Sequence, residues 1–496
     1  MLQKVYNSQQ RIITFLSRGN NSLILLITLS AFFCFWKLGA EPLNEWDESR
    51  NGVNAVEMIQ NGDYVNLYYA GEPDTWNAKP PLMIWLIAAS FKIFGYNEFA
   101  LRFPAAMAAF LSLIVFFHLV SRYSDKVVAF FTCIILLTVD GIVGKHVGRT
   151  GDFDALMLLF LLISVYYFLS YVDFNSKKGL FLSAVFLGLA FYTKGLASLI
   201  IVPGLFVYAV FTKKLLSILK DPKFYISAFI YLGFIVSWFA IVNYFGLKFN
   251  SSCYSADNSF QTMWKYDVLA RLTSGFNNKL AEQDLAFFFT YLDVKFNLWN
   301  YVLYLTLIVL GFGLKRNWVK FPKHEAATLP CKLTVLSCCI FLSMGLILSF
   351  AAEAHFWYMA PAIPFIAFFT TQCIKLVSAK VKIYPLFASL ILLFTLSLKI
   401  VELNLPRKYP DILTANRNLV INAGKITTYN MNRQDYLLYL KLYNRNVTVK
   451  NGIKEFTAEA GEVILISNEL YDQSQSFKDA SWLISRGEVF SFLQIR

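Results

Sequence analysis

What most limits the fold of this chain is a series of apolar runs, several about 18 to 20 residues long, that recurs through its first four hundred residues. A helix of that length crosses a hydrocarbon layer of about 30 Å, and in lipid only helices and closed barrels satisfy their own backbone polar groups. Spans are expected at about 21–39, 98–120, 127–144, 153–172, 180–194, 196–212, 224–245, 296–314, 333–351, 357–374 and 383–400. The expected fold is therefore mainly α, a polytopic membrane protein with about 11 transmembrane helices. Charged residues are only 16% of the 496, against about 25% in soluble domains, which excludes an ordinary soluble fold.

A formal net charge of +13 raises the question of nucleic acid, and the placement of the cations answers it. Lys and Arg gather in the amino-terminal segment (Lys4, Arg11, Arg18) and in the even-numbered short connections, such as 213–223 and 315–332. By the positive-inside rule those segments are cytoplasmic. Residues 1–20 are then cytoplasmic and residues 40–97 external, and an odd number of spans puts the carboxyl-terminal region outside as well. The charge excess is topological, and nucleic acid is not expected as a partner.

The first apolar run follows a basic amino terminus, as a signal peptide would, but "FFCFWKLGAEP" offers no small-residue cleavage site, so a first helix is expected there. Six of the seven cysteines lie in or beside spans, and only Cys253 falls in an external loop, which excludes an external disulfide framework within one chain. The four histidines, His118, His146, His324 and His355, have no zinc-site spacing.

Two domains are expected, a membrane domain over 1–400 and an external α/β domain over 401–496. External loop 40–97 contains "NEWDESRNGVNAVEMIQNGDY", where Trp46, Val53, Val56 and Ile59 recur at helical spacing, and "KPPLMIWLIAASFKIFGY", which opens on prolines and turns apolar. Both read as helices lying at the membrane interface. External loop 246–292 is long and polar in patches. In the tail, after a linker at "LPRKYPD", the segments "KITTYNM", "VTVKN" and "GEVILISN" alternate like strands, and "RQDYLLYLKLY" has helical spacing.

The ionisable residues expected near the external face come from five segments: Asp47, Glu48, Arg50 and Lys79; Lys145, His146, Arg149, Asp152 and Asp154; Lys194; and Glu353 with His355. Charges at such depth usually line a cavity or pathway, and together these supply acids, bases and phosphate-binding cations. Each also has a plainer reading. Asn44 with Asp47 fits a helix start, where acids favour the dipole; Lys79 before two prolines fits a solvated loop; "GKHVGRTGDFDALM" fits a polar loop before a helix. Lys194, inside apolar sequence, requires a partner or an aqueous cavity, and Glu353 and His355 suit a mutual pair.

The order "DESR", "NGDY", "KPPLMIWLIAASFKIFGYNEFALRFPAA", "GRTGDFDALMLLF", "GLAFYTKGLASLI" and "WYMAPAIPFIAFF" resembles the lipid-phosphate-sugar glycosyltransferases of the GT-C superfamily, which include the aminoarabinose transferases and the protein O-mannosyltransferase-like group. The resemblance covers roughly residues 20 to 375. It implies an integral membrane enzyme of the bacterial plasma membrane that moves a sugar from a polyprenyl phosphate, such as undecaprenyl phosphate, to an extracytoplasmic lipid A, glycan or protein. It implies Asp47 as catalytic base with Glu48 beside it, Asp154 and Asp152 as the second acidic site, and Lys79 on the donor phosphate, with Arg50 and Lys194 as further phosphate or pocket residues; Arg149 is a cation that could also stabilise the phosphate charge. His146, Glu353 and His355 would complete the pocket. Aminoarabinose transferases carry a metal-binding Glu directly before the Lys-Pro motif; Ala78 stands there in this chain, so a divalent metal cofactor does not follow from the resemblance. A base attacking opposite the phosphate predicts inversion at the anomeric carbon. The competing class is a transporter or flippase for a lipid-linked sugar; the gathering of charges at one face and the lack of repeated halves favour the enzyme.

Overall fold

The computed structural model describes residues 11–74, 77, 79–245, 261, 263–273, 286–316, 328–379, 381, 384–405, 411–450 and 459–496. Ala78, Cys253, His324, most of external loop 246–292 and the linker residues 406–410 lie outside the described residues.

Seven described helices are long and apolar enough to cross a membrane, or nine if each of two bent pairs is one span. The difference from eleven has two sources. The runs expected at 180–194 and 196–212 meet in one stretch of helical backbone, Gly179–Phe211, through the tighter turns of Gly195–Ile201. The run expected at 127–144 forms a helix of only 13 residues, Lys126–Thr138, because the chain then turns into the loop that carries His146 and Asp152. Glu98–Tyr123 and Asp154–Phe174 are central, with most of their side chains buried. Pro222–Phe245 buries only Ser227 and Trp238 and exposes Tyr225, Ile226, Phe229 and Val236, the pattern of a helix facing lipid.

One helix joins the two ends of the bundle. Asp154–Phe174 is 21 residues long, about 30 Å at 1.5 Å per residue, and has an acid near each end. At its far end Asp173 accepts hydrogen bonds from the hydroxyls of Tyr123 and Tyr208, both at 2.7 Å, and from Lys332 at 2.8 Å. Those donors lie on three other helices, Glu98–Tyr123, Val202–Phe211 and Leu329–Ser349, so a single carboxylate fastens four helices.

At the opposite end lie the loops and the tail. Asp47–Asn61 is helical as expected, but it is not an exposed interfacial helix: its residues from Asn51 to Met58 are all buried. Leu82–Phe94 does expose an apolar edge at Leu86, Ile93 and Phe94. Between them a short hairpin pairs β1 (Tyr68–Tyr69) with β2 (Glu72–Pro73). The tail forms a five-stranded sheet of β3 (Ile426–Tyr429), β4 (Val447–Lys450), β5 (Val463–Ser467), β6 (Ser481–Arg486) and β7 (Phe490–Ile495), in the order β4-β3-β5-β7-β6. The first three are mutually parallel and β7 returns antiparallel. The helix Gln434–Tyr443 crosses from β3 to β4, the ordinary way to join neighbouring parallel strands.

Asp173→Ala removes the acceptor of two tyrosine hydroxyls and an ammonium group at a buried site. The expected destabilisation is about 2–4 kcal/mol in denaturant titrations of the detergent-solubilised protein, with Asp173→Asn, which keeps an acceptor oxygen, milder.

Candidate active site

Asp47 opens the helix Asp47–Asn61, and the residue before it, Trp46, has a φ of +72°. His146 has a φ of +64°. Bulky residues rarely adopt positive φ, and such conformations concentrate at functional sites. The two segments bring Asp47, His146 and Asp152 together, with one ligand atom of each lying within 4.8 Å of the others. Asp47 is exposed and makes no hydrogen bond or ion pair among the described residues. Asp152 is 3% exposed. Its Oδ2 accepts from the Thr150 hydroxyl at 2.5 Å and lies 3.4 Å from His146 Nδ1, while its Oδ1 is buried without a partner. Burial pushes the Asp152 carboxyl above the usual carboxylate range; His146 pulls it down and the charge of Asp47 adds to the rise. Burial disfavours the His146 imidazolium, but the adjacent Asp152 and Asp47 outweigh it and raise the pKa of His146.

A second pair stands at the start of the central helix. Lys194 donates to both oxygens of Asp154, at 2.6 and 2.7 Å, which supplies the partner that a lysine in apolar sequence requires. Its ammonium also lies 5.0 Å from the Tyr358 ring, and the Arg271 guanidinium is 5.1 Å from the same ring. Lys79 is half-buried, 5.6 Å above the Phe153 ring, and makes no ion pair among the described residues. His146 and His355 both stack on Trp357, with ring centroids at 4.1 and 4.5 Å. Glu353 and His355 pair at 3.5 Å as expected. Lys145 is exposed and lines a neighbouring narrow cleft with Asp140, Lys295 and Tyr291, which Trp357 also borders.

Three charged residues expected in the pocket are bound into the scaffold. Glu48 is buried, accepting from Arg102 Nε at 2.6 Å and Nη2 at 3.1 Å, from the backbone and side-chain amides of Asn44 at 2.8 and 2.7 Å, and from Gly151 N–H at 3.2 Å. Burial alone would raise the Glu48 pKa; Arg102 and Asn44 outweigh it and hold the carboxyl below its usual range. Such a carboxylate is a poor proton acceptor. Asn44 therefore serves Glu48 and does not cap the helix, whose cap position is Trp46. Arg50 grips Asp74 through Nε at 2.9 Å and Nη2 at 2.5 Å, and lies 4.5 Å over the Tyr69 ring. Arg149 donates to the carbonyls of Phe33, Trp36 and Lys37 and meets Glu41 at 3.4 Å.

Sequence reasoning missed Trp357, Tyr358, Arg271, Asp74 and Arg102. Two signals were present, a lone arginine in the apolar "FALRFPAA" for Arg102 and the motif "WYMAPAIPFIAFF", which opens on Trp357 and Tyr358 but singles out neither as a site residue.

With this geometry in view, comparison with known proteins is informative. The model of the dolichyl-phosphate-mannose-protein mannosyltransferase family matches residues 78–240. The fold is similar over 96% of this chain and 98% of the other to the crystal structure of ArnT from Cupriavidus metallidurans bound to undecaprenyl phosphate, with a TM-score of 0.70 at 14% identity. This chain has the fold of that ArnT structure. Another solved structure, the Archaeoglobus fulgidus oligosaccharyltransferase in complex with zinc and sulfate, aligns over 90% of this chain and 68% of the other with a TM-score of 0.51 at 13% identity. Among sequence relatives, an uncharacterized protein of Aquifex aeolicus is 26% identical over 254 residues, 49% of this chain and 55% of that protein. An undecaprenyl phosphate-alpha-4-amino-4-deoxy-L-arabinose arabinosyl transferase of Aeromonas hydrophila is 29% identical over 199 residues, 38% of this chain and 35% of that protein. The matched stretches thus span about half or less of these relatives' own length.

Asp47, His146 and Asp152 form a donor set able to hold a divalent cation, and Asp152 Oδ1, buried without a partner among the described residues, fits that use. None of the three stands at the position of Ala78. Metal binding requires His146 and Asp152 to shed protons, and both have raised pKa values. Calorimetric titration of the purified protein with Mn²⁺ should therefore show weaker binding at pH 6 than at pH 8, and Asp152→Asn should weaken it about tenfold or more.

Proposed function

We propose that this protein is a membrane glycosyltransferase that moves a sugar from a polyprenyl phosphate to an extracytoplasmic acceptor, a lipid such as lipid A, another glycan or a protein, with inversion at the anomeric carbon. The observation that carries this reading is a division of charge at one end of the bundle. Asp47 and Lys79 make no ion pair among the described residues, while Arg50 with Asp74, Glu48 with Arg102 and Lys194 with Asp154 are already paired around them. The shared fold and the names of the similar proteins, an arabinosyl transferase and an ArnT bound to undecaprenyl phosphate, support a lipid-phosphate donor.

In this mechanism Asp47 accepts the proton of the acceptor group as that group attacks the anomeric carbon from the face opposite the phosphate. The bond from the sugar to the phosphate oxygen breaks, and the polyprenyl phosphate leaves with the electron pair. Lys79 meets the developing phosphate charge, and Lys194, oriented by Asp154, stands on the Tyr358 ring as a second cation. Asp152, buried beside Asp47 and His146 with its Oδ1 unpartnered among the described residues, is placed to accept a hydrogen bond from a sugar or acceptor hydroxyl. A divalent cation held by Asp47, His146 and Asp152 would supply electrostatic stabilisation of negative charge. Glu48 and Arg149 act on the site through the scaffold, and Arg50 through Asp74.

The test is turnover of a panel of polyprenyl-phosphate sugars by the protein in nanodiscs. Wild type should consume one donor, and Asp47→Asn should lose at least about a hundredfold in kcat. Lys79→Ala should lose about tenfold to a hundredfold. Equal turnover by Asp47→Asn and wild type refutes the base assignment, and donor transport without cleavage supports a flippase.

The reading also requires an external tail. A cysteine in place of the exposed Glu469 should react with a membrane-impermeant maleimide on intact cells; labelling only after the membrane is opened would reverse the orientation.

A further inference from the structure

The tail domain touches the Asp47 segment on both sides of Asp47. Before it, the Leu43 N–H donates to the Tyr439 hydroxyl at 2.9 Å in a buried contact, and Glu45 pairs with Arg433 at 3.1 Å. After it, Gly52 lies so close to Leu438 that a Cβ would meet the leucine methyls at 2.5 and 2.9 Å. One turn and a half further on, Glu57 and Lys441 form an ion pair at 2.9 Å with side chains 3% and 4% exposed. Glu57 also accepts from Gly71 N–H at 3.0 Å, in the turn of the β1–β2 hairpin. That hairpin runs into Asp74, the partner of Arg50 and Asn54, just ahead of Lys79. Three of the tail residues, Leu438, Tyr439 and Lys441, lie on one short helix, Gln434–Tyr443.

These contacts differ from those of a tail that merely rests on the membrane domain. A buried ion pair requires close, desolvated geometry on both sides, and a glycine at van der Waals contact with a leucine leaves no room for sliding. The segment they grip carries a strained residue, Trp46, immediately before the proposed base, and strain persists only where the surroundings over-determine the backbone. The membrane domain holds this segment from below through Arg102 and Glu48; the tail holds it from the other side.

We infer that the tail helix Gln434–Tyr443 is a positioning element of the active site, fixing the Asp47 helix through Tyr439, Leu438 and Lys441. The inference rests on the transferase reading for its catalytic consequence and on geometry alone for the mechanical one. A misplacement of about 1 Å at a reacting group is worth about a hundredfold in rate, so the expected signature is a loss in kcat without a matching loss of donor binding.

The experiment uses the full chain and has two arms. In hydrogen exchange followed by mass spectrometry, residues 43–52 should exchange about tenfold faster in Tyr439→Phe and in Gly52→Ala than in wild type, with the central helix Asp154–Phe174 unchanged. The second-site change Leu438→Ala, which empties the space a new methyl needs, should return Gly52→Ala toward wild-type exchange. In turnover, Tyr439→Phe and Gly52→Ala should lower kcat about tenfold to a hundredfold with the donor KM within about twofold, and Leu438→Ala should restore kcat to Gly52→Ala. Unchanged exchange at 43–52 overturns the inference. So does faster exchange with undiminished kcat, or a loss confined to KM. If wild type consumes no polyprenyl-phosphate sugar, the transferase reading fails, and the exchange arm still decides whether the tail fixes this segment.

Discussion

The buried pair of Glu48 and Arg102 is the interaction on which the loop-bearing end of this protein depends. Arg102 lies in the apolar helix Glu98–Tyr123 and is 0% exposed, with four further oxygen contacts shared between Glu48 and the carbonyls of Leu38, Glu41 and Pro42. A guanidinium at that depth is tolerable only when its donors are satisfied, so the chain between Leu38 and Glu48 must wrap around it. That wrapping sets where the next helix begins, and the next helix begins with Asp47. Because the carboxyl of Glu48 is held below its usual range, the pair keeps both charges throughout the neutral range. Its stabilising contribution is present above the ordinary Glu pKa and is lost only as the pH falls through the depressed value.

Around this anchor the charged residues divide by whether they already have a charged or carbonyl partner in the protein. Arg50 with Asp74, Arg149 with three carbonyls, and Lys194 with Asp154 are committed to protein partners. Lys79 and Asp47 are not, among the described residues, and Asp152 keeps one buried oxygen unpartnered. An unspent buried acceptor is unfavourable for folding, and its retention beside an exposed carboxylate and an imidazole is understandable where a ligand supplies the missing partner.

Much of the architecture was legible because lipid simplifies the code: apolar length alone locates most helices. It misled where backbone geometry intervened, as at Gly195, where two expected spans run together, and after Thr138, where the chain turns early toward His146. In the tail, alternation located β3, β4 and β5, but β6 and β7 escaped; in β6, Trp482, Leu483 and Ile484 are all exposed and follow no two-residue period. At the site, residue type identified the acids and bases, but not which of them are occupied. Glu48 and Asp47 are adjacent in sequence and chemically alike; only the position of Arg102, 54 residues later, separates a structural carboxylate from an available one. The helical spacing of Val53 and Val56 was likewise correct, while the surface they cover proved to be protein on nearly every side.

The indole of Trp357 has a further consequence. The two imidazoles stacked on it lean in opposite directions of charge. For His146 the neighbouring carboxylates outweigh burial and favour the cation. For His355 burial, with Arg271 adding to it, outweighs Glu353 and favours the neutral ring. One indole therefore touches two imidazoles whose surroundings push their protonation in opposite directions, so a single aromatic side chain borders two electrostatically different regions, with Asp47 and Asp152 near one ring and Arg271 near the other.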